Sequence, residues 1–266
     1  MPDVFRCGEC GHESNSWALV CPRCGTQASA QVVAGASPSG VDAVSQSTAI
    51  NSLDAIDSRA LFRYTSGFTS LDNALGDGFI KGAVTLLAGA PGAGKSTLAL
   101  QSAAHISLDH KTLFVSGEEP LDRLALRARR LHLDVSRLDA VSDTEMLALA
   151  RIVRRERYGF VVVDSLHTLH NERLRSRPGS PSQLIACAQS CVRLAQSVNC
   201  AWLLIGHVTK QNFLSGPRSV EHIVDVMLTF HPKGAKRILT ATKNRFGPAL
   251  APYTLKMTKK GLIDVA

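Results

Sequence analysis

From about Leu61 onward, short apolar runs alternate with stretches whose apolar residues recur every three or four positions. Runs such as AVTLLA, TLFVS and FVVVD are too short for helices and apolar at nearly every position. That is what strands buried on both faces of a parallel sheet require. The pattern predicts strands at Val84–Ala88, Thr112–Ser116, Phe160–Asp164, Ala201–Ile205, Val224–Phe230 and Ile238–Thr242. It predicts helices at Lys95–Ser107, Pro120–Leu131, Asp143–Glu156 and Ser182–Val198. In the last of these, Leu184, Cys187, Ala188, Cys191, Leu194, Ala195 and Val198 share one face, as a packed helix requires. Strands and helices alternating in this way predict an α/β core with a mostly parallel central sheet.

The periodicity fails before residue 59. Residues 27–58 are rich in Ala, Ser and Gly and read as a flexible linker, leaving residues 59–266 as the core. Residues 1–26 hold two Cys-x-x-Cys pairs, Cys7 with Cys10 and Cys21 with Cys24, each followed by a glycine. Four thiolates at this spacing suit a closed tetrahedral Zn²⁺ site, and so small a module has little core without a metal. An iron–sulfur centre or a redox pair draws on the same residues. Cys187 and Cys191, which share a helical face with Leu184, Leu194 and Val198, read instead as small buried apolar residues.

At 266 residues, the chain is long enough for one α/β core with a small accessory module. No apolar run approaches the roughly 20 residues of a membrane span. The start MPDVFRCGEC has no signal-peptide core, so a cytoplasmic protein without membrane partners is expected. The net charge of +8 favours polyanionic partners such as nucleic acid.

Candidate chemistry concentrates at the ends of the predicted strands. GAPGAGKS at Gly89–Ser96 follows a strand and opens a helix, matching G-x-x-x-x-G-K-[ST]. Backbone N–H groups of Gly89, Ala90, Pro91 (through its neighbours, since proline has no N–H), Gly92, Ala93, Gly94, Lys95, Ser96 and Thr97 would cradle the phosphates of ATP. Lys95 would reach the β- and γ-phosphates and Ser96 would ligate Mg²⁺. Asp164 closes the FVVVD strand and would complete the Mg²⁺ shell, although a helix cap has the same signature. Glu118 and Glu119 follow the strand at 112–116; Glu118 is the candidate for polarising the attacking water, against the alternative of an acidic pair capping the next helix.

Together these motifs resemble the RadA (Sms) family of bacterial RecA-like DNA-repair ATPases. The resemblance covers nearly the whole chain: the four-cysteine finger with Trp17, TSGFTSLDNALGDG, the phosphate loop, VSGEEP, VVVDSLHTL, GHVTK, GPRSVEH and KNRFG. It implies a RecA-like ATPase core behind a zinc ribbon, in a homo-oligomer built as a hexameric ring, working as a helicase or branch-migration motor on single-stranded DNA. Lys243 and Arg245 match positions that act across the subunit interface on the neighbour's ATP. Two segments match DNA-facing loops: His170–Pro181, with Arg173, Arg175 and Arg177, and Lys210–Arg218, with Lys210, Phe213 and Arg218. Basic residues can track phosphates and an aromatic tip can stack on bases; a solvated basic loop is the alternative. His207 would relay nucleotide state to the second loop. The family's usual Lon protease-like domain has no counterpart before Ala266, so a short form is expected.

Three functions fit these residues. The first is an ATP-driven single-stranded-DNA motor in recombination or repair. The second is a nucleotide-gated mediator or helicase-loading adaptor that works with a recombinase or replication protein. The third is a KaiC-like signalling ATPase that ignores DNA, against which the basic loops and the cysteine module argue.

Overall fold

The computed structural model describes residues 5–7, 12–14, 23–24, 30–32, 62–207, 219–247 and 251–265. The chain forms two compact units, Met1–Asp57 and Ser58–Ala266. In the first, strands β1 (Phe5–Cys7), β2 (Glu13–Ser14) and β3 (Ala30–Val32) pair antiparallel in the order β2-β1-β3. Strand β3 falls inside the stretch expected to be linker, where Ala30 pairs with Cys7 and Val32 with Phe5.

The second unit is built on a nine-stranded sheet. Its parallel part contains β6 (Val84–Gly89), β7 (Thr112–Ser116), β8 (Leu138–Val141), β9 (Phe160–Asp164), β10 (Ala201–His207) and β11 (Val226–Lys233). Three antiparallel strands, β12 (Lys236–Asn244), β13 (Tyr253–Thr258) and β14 (Gly261–Asp264), extend one edge, giving the order β14-β13-β12-β11-β6-β10-β9-β7-β8. A separate hairpin pairs β4 (Arg63–Tyr64) with β5 (Phe79–Ile80) around helix α1 (Thr69–Leu75).

Side-chain alternation along the strands builds two cores. Phe160 and Val162 face one side of β9, where Leu98, Leu124 and Ala128 of α2 (Lys95–Ser107) and α3 (Leu121–Arg130) bury their apolar stripes. Val161 and Val163 face the other side, against Leu149, Cys187 and Cys191 of α4 (Met146–Glu156) and α5 (Pro181–Val198). Truncating a wholly buried side chain such as Leu149 to alanine would cost about 2–5 kcal/mol. Cys187 and Cys191 are buried core residues, as expected, and Cys200 is buried as well. Among the described residues no helix is long and apolar enough to cross a membrane.

Several boundaries differ from the sequence pattern for local reasons. Helix α4 begins at Met146, not Asp143, because Asp143 accepts from the Glu145 amide and Glu145 accepts from the Ala148 amide, making a capping turn. Strand β11 begins at Val226, not Val224, because Val224 still donates to Val220 at the end of helix α6 (Ser219–Ile223). Strand β10 runs on to His207, which pairs with Gly89 of β6.

Candidate active site

The parallel strands place the predicted chemistry at their C-terminal ends. The loop after β6 curls so that Gly94 sits at φ 103°, and a Cβ there would lie 2.6 Å from Met257 Cε. Only glycine takes this conformation without strain. The Lys95 ammonium, buried at the start of α2, donates to Gly89 O at 2.8 Å and Ala90 O at 2.9 Å. Burial pulls Lys95 below the usual lysine range, against the opposing charges of Asp164 and Glu118. The loop is buttressed from the antiparallel edge by Arg237, whose Nε donates to Ala93 O at 2.7 Å. Sequence reasoning missed Arg237, because a residue so far along the chain meets the loop only through the β11–β12 hairpin.

Asp164, at the end of β9, is nearly buried, and burial pushes its carboxyl above the ordinary value while a hydrogen bond with Ser96 acts downward. Its Oδ1 is buried with no hydrogen-bond partner among the described residues. An orphaned carboxylate oxygen beside the Ser96 hydroxyl fits a hydrated Mg²⁺.

The two consecutive glutamates separate. Glu119 turns away into an ion pair with Arg127 at 2.8 Å. Glu118 turns toward the site, where its Oε1 accepts from Ser165 Oγ and meets His207 Nε2 at 2.7 Å. Burial acts to raise Glu118, but the Ser165 hydroxyl, the His207 ring and the Lys95 charge outweigh it, so its carboxyl lies below the ordinary glutamate value. Gly117 makes this approach possible, since a Cβ there would fall 1.9 Å from Thr168 Oγ1. Ser165 was not singled out in the sequence; its place directly after Asp164 was the available signal.

The remaining predicted residues lie farther out. Arg173, Arg175 and Arg177 are exposed on the loop after β9, which the buried Gln183 ties down by accepting from Asn171 N and donating to Asn171 O and Ser176 O. The rings of His207 and His167, at the root of that loop, are 5.4 Å apart. Lys243 donates to Glu221 O, His222 O and Val224 O at 2.7, 3.2 and 2.6 Å, capping α6 of its own chain. Arg245 reaches His222 O at 3.1 Å and Asp225 Oδ1 at 3.4 Å. Lys210, Phe213 and Arg218 lie outside the described residues, as do Cys10 and Cys21. The described residues contain no group of three or more metal-binding side chains. Cys7 Sγ and Cys24 Sγ stand 3.8 Å apart. That is close to the separation of two thiolates on one tetrahedral ion with Zn–S of about 2.3 Å.

With this geometry in hand, comparison with known proteins is decisive for the family. The family model described as an AAA domain matches residues 57–212. The chain belongs to the AAA domain family. It is 37% identical to the DNA repair protein RadA of Pseudomonas aeruginosa over 99% of this chain and 59% of that protein. It is 36% identical to RadA of Aquifex aeolicus, over 98% of this chain and 59% of that one. These identities bear out the resemblance read from the motifs, and the chain spans about 59% of the length of these relatives. A KaiC-like protein from Pyrococcus horikoshii superposes with a TM-score of 0.65 at 18% identity, covering 77% of this chain and all of that one. The RadB recombinase superposes with a TM-score of 0.59 at 24% identity, covering 76% of this chain and all of that one. At such identities the likeness concerns the fold, a RecA-like P-loop ATPase core.

Proposed function

We propose that this chain is a DNA-repair and recombination ATPase that hydrolyses ATP at the Gly89–Ser96 loop and uses the cycle to move on single-stranded DNA. The observation that carries the reading is the Glu118 carboxylate, kept ionised by Ser165 and His207 beside Lys95 at the strand ends. Glu118 would orient and deprotonate the attacking water, and Lys95 would release its loop carbonyls to take the phosphates. Ser96 and Asp164 would hold Mg²⁺, which, when bound, neutralises charge developing on the phosphate oxygens. The AAA domain match and the names of the RadA relatives support ATP turnover in DNA repair.

In the ring this reading assumes, Lys243 and Arg245 would leave their own α6 and reach the neighbouring subunit's ATP. The contact of Glu118 with His207, the last residue of β10, would carry nucleotide state to the second loop. Lys210, Phe213 and Arg218 would complete the DNA contact. Four cysteines, Cys7, Cys10, Cys21 and Cys24, would hold a structural Zn²⁺, a reading supported by the 3.8 Å sulfur separation.

One observation favours the mediator or adaptor reading. Lys243 has three carbonyl partners in its own chain and would have to give them up to act in trans. An unwinding assay on a forked duplex separates the two. ATP-dependent strand separation supports the motor, and ATP turnover without separation supports the adaptor.

A further inference from the structure

Lys81, Arg154 and Arg157 line a pocket of about 330 Å³ whose remaining walls are Tyr158, Gly159, Val198 and Asn199. The pocket lies where three turns enter adjacent strands: Lys81 precedes β6, Arg157 and Gly159 precede β9, and Asn199 precedes β10. It is thus at the N-terminal end of the sheet. The phosphate loop is at the other end of β6, about 20 Å away for a six-residue strand.

The turns are held in fixed shapes. Arg157 and Asn199 both adopt left-handed conformations as they end α4 and α5, at φ 53° and 52°. A Cβ on Gly82 would lie 3.1 Å from Asn199 Oδ1, so the Lys81–Gly82 turn packs directly on that amide.

The charge of the pocket is unbalanced. No acidic residue lines it, and among the described residues none of its three cations forms an ion pair. The nearby carboxylates are engaged elsewhere: Glu156 pairs with Lys111 and Arg155, and Asp139 accepts from the Tyr158 hydroxyl. Arginines in a last helical turn complement the helix dipole, which accounts for Arg154. It does not account for Lys81, which belongs to no helix; the Phe62 ring, 5.8 Å from its ammonium, leaves the charge uncancelled, and Lys81 brings a third like charge to the same hollow. Cations converging on a concavity repel one another and focus a positive potential that an anion relieves.

We propose that this pocket is a second phosphate-binding site, which takes the phosphodiester backbone of DNA at the end of the sheet opposite the nucleotide. The proposal rests on the DNA-binding reading above. Its position lets a strand or duplex arm be held independently of the loops after β9 and β10.

The test is binding of a labelled single strand and of a duplex of equal length to the full chain over a series of salt concentrations. Four proteins are compared: the wild type, Lys81→Gln/Arg154→Gln, Arg154→Lys, and Arg173→Gln/Arg175→Gln/Arg177→Gln. The pocket double variant should bind about tenfold more weakly, and its salt slope should fall by about 1.4 on a single strand or about 1.8 on a duplex, two phosphates' worth. The strand type showing the loss identifies the ligand. Arg154→Lys should keep the wild-type slope, and ATP turnover without DNA should be unchanged in the double variant. Wild-type affinity and slope in the double variant would overturn the proposal, as would an Arg154→Lys protein as weak as the double variant. If only the loop variant loses affinity, this site fails and the DNA-binding reading stands. If the wild type binds neither strand nor duplex, both fail.

Discussion

His207 Nε2 and Glu118 Oε1 meet at 2.7 Å from strands β10 and β7, which do not adjoin in the sheet because β9 lies between them. Their contact spans the floor of the phosphate site and leaves the glutamate bound to a ring at the very end of β10. With Glu118 ionised, Nε2 carries the proton and donates. Any movement of β10's end therefore changes the surroundings of the Glu118 carboxylate.

The sign of that coupling is testable. Glu118 lies below the ordinary glutamate value, so its carboxylate form stabilises the folded state above the unfolded value of about 4.3. That contribution is lost as pH falls through the lower, folded value. His207→Ala removes a lowering partner while the upward effect of burial stays. Titrating the carboxyl carbon of Glu118 by NMR should give a midpoint below about 4.3 in the wild type and a higher one in the variant. An unmoved midpoint would show that the ring does not control the base.

Gly117→Ala probes the placement of the glutamate. The added Cβ would collide with Thr168 Oγ1 and lie 2.6 Å from Thr168 Cβ. Overpacking of this kind costs about 1–3 kcal/mol, and the strain falls on the turn that aims Glu118. The expected result is a lowered melting temperature and a reduced kcat for ATP, with nucleotide affinity retained. A variant with full kcat would mean that Glu118 is not positioned through this turn.

Subunit mixing tests the proposed trans role of Lys243 and Arg245. Lys95→Ala chains lack phosphate contacts and Lys243→Ala chains lack the finger, so each alone should turn over ATP at least about 100-fold more slowly. In the proposed ring, mixtures would contain interfaces where an intact pocket meets an intact Lys243, and activity should reappear. If mixtures stay inactive, Lys243 acts in its own chain, through the carbonyls that it caps on α6.

Metal analysis of the purified protein should return close to one zinc per chain, and Cys7→Ser with Cys24→Ser should lose it. The N-terminal unit should then become protease-sensitive, because a module this small gains its stability from the ion. Full resistance to protease without metal would contradict the assignment.

The buried parallel strands and long helices were legible in the sequence. Strands β7 and β9 and helix α2 have the boundaries that the pattern predicts, because continuous, nearly all-apolar runs and a loop glycine mark them clearly. The edges of the sheet were not. Strand β8 (LDAV) is partly exposed along its length, and β13 (YTLKMT) buries only Leu255, so neither carries a strong apolar signal. Helix α1 is only seven residues long, too short to show a period. The phosphate loop, Asp164 and Glu118 could be read from local motifs. Arg237 and the pocket around Lys81 could not, because each depends on turns brought together by the sheet.

If DNA is the load for ATP hydrolysis, steady-state ATP turnover measured with and without single-stranded DNA reveals it. Single strands should raise kcat in the wild type. Glu118→Gln should reduce turnover by about 10²–10⁴-fold under both conditions while ATP still binds. Robust ATP turnover that is indifferent to single-stranded DNA would show that DNA is not the load.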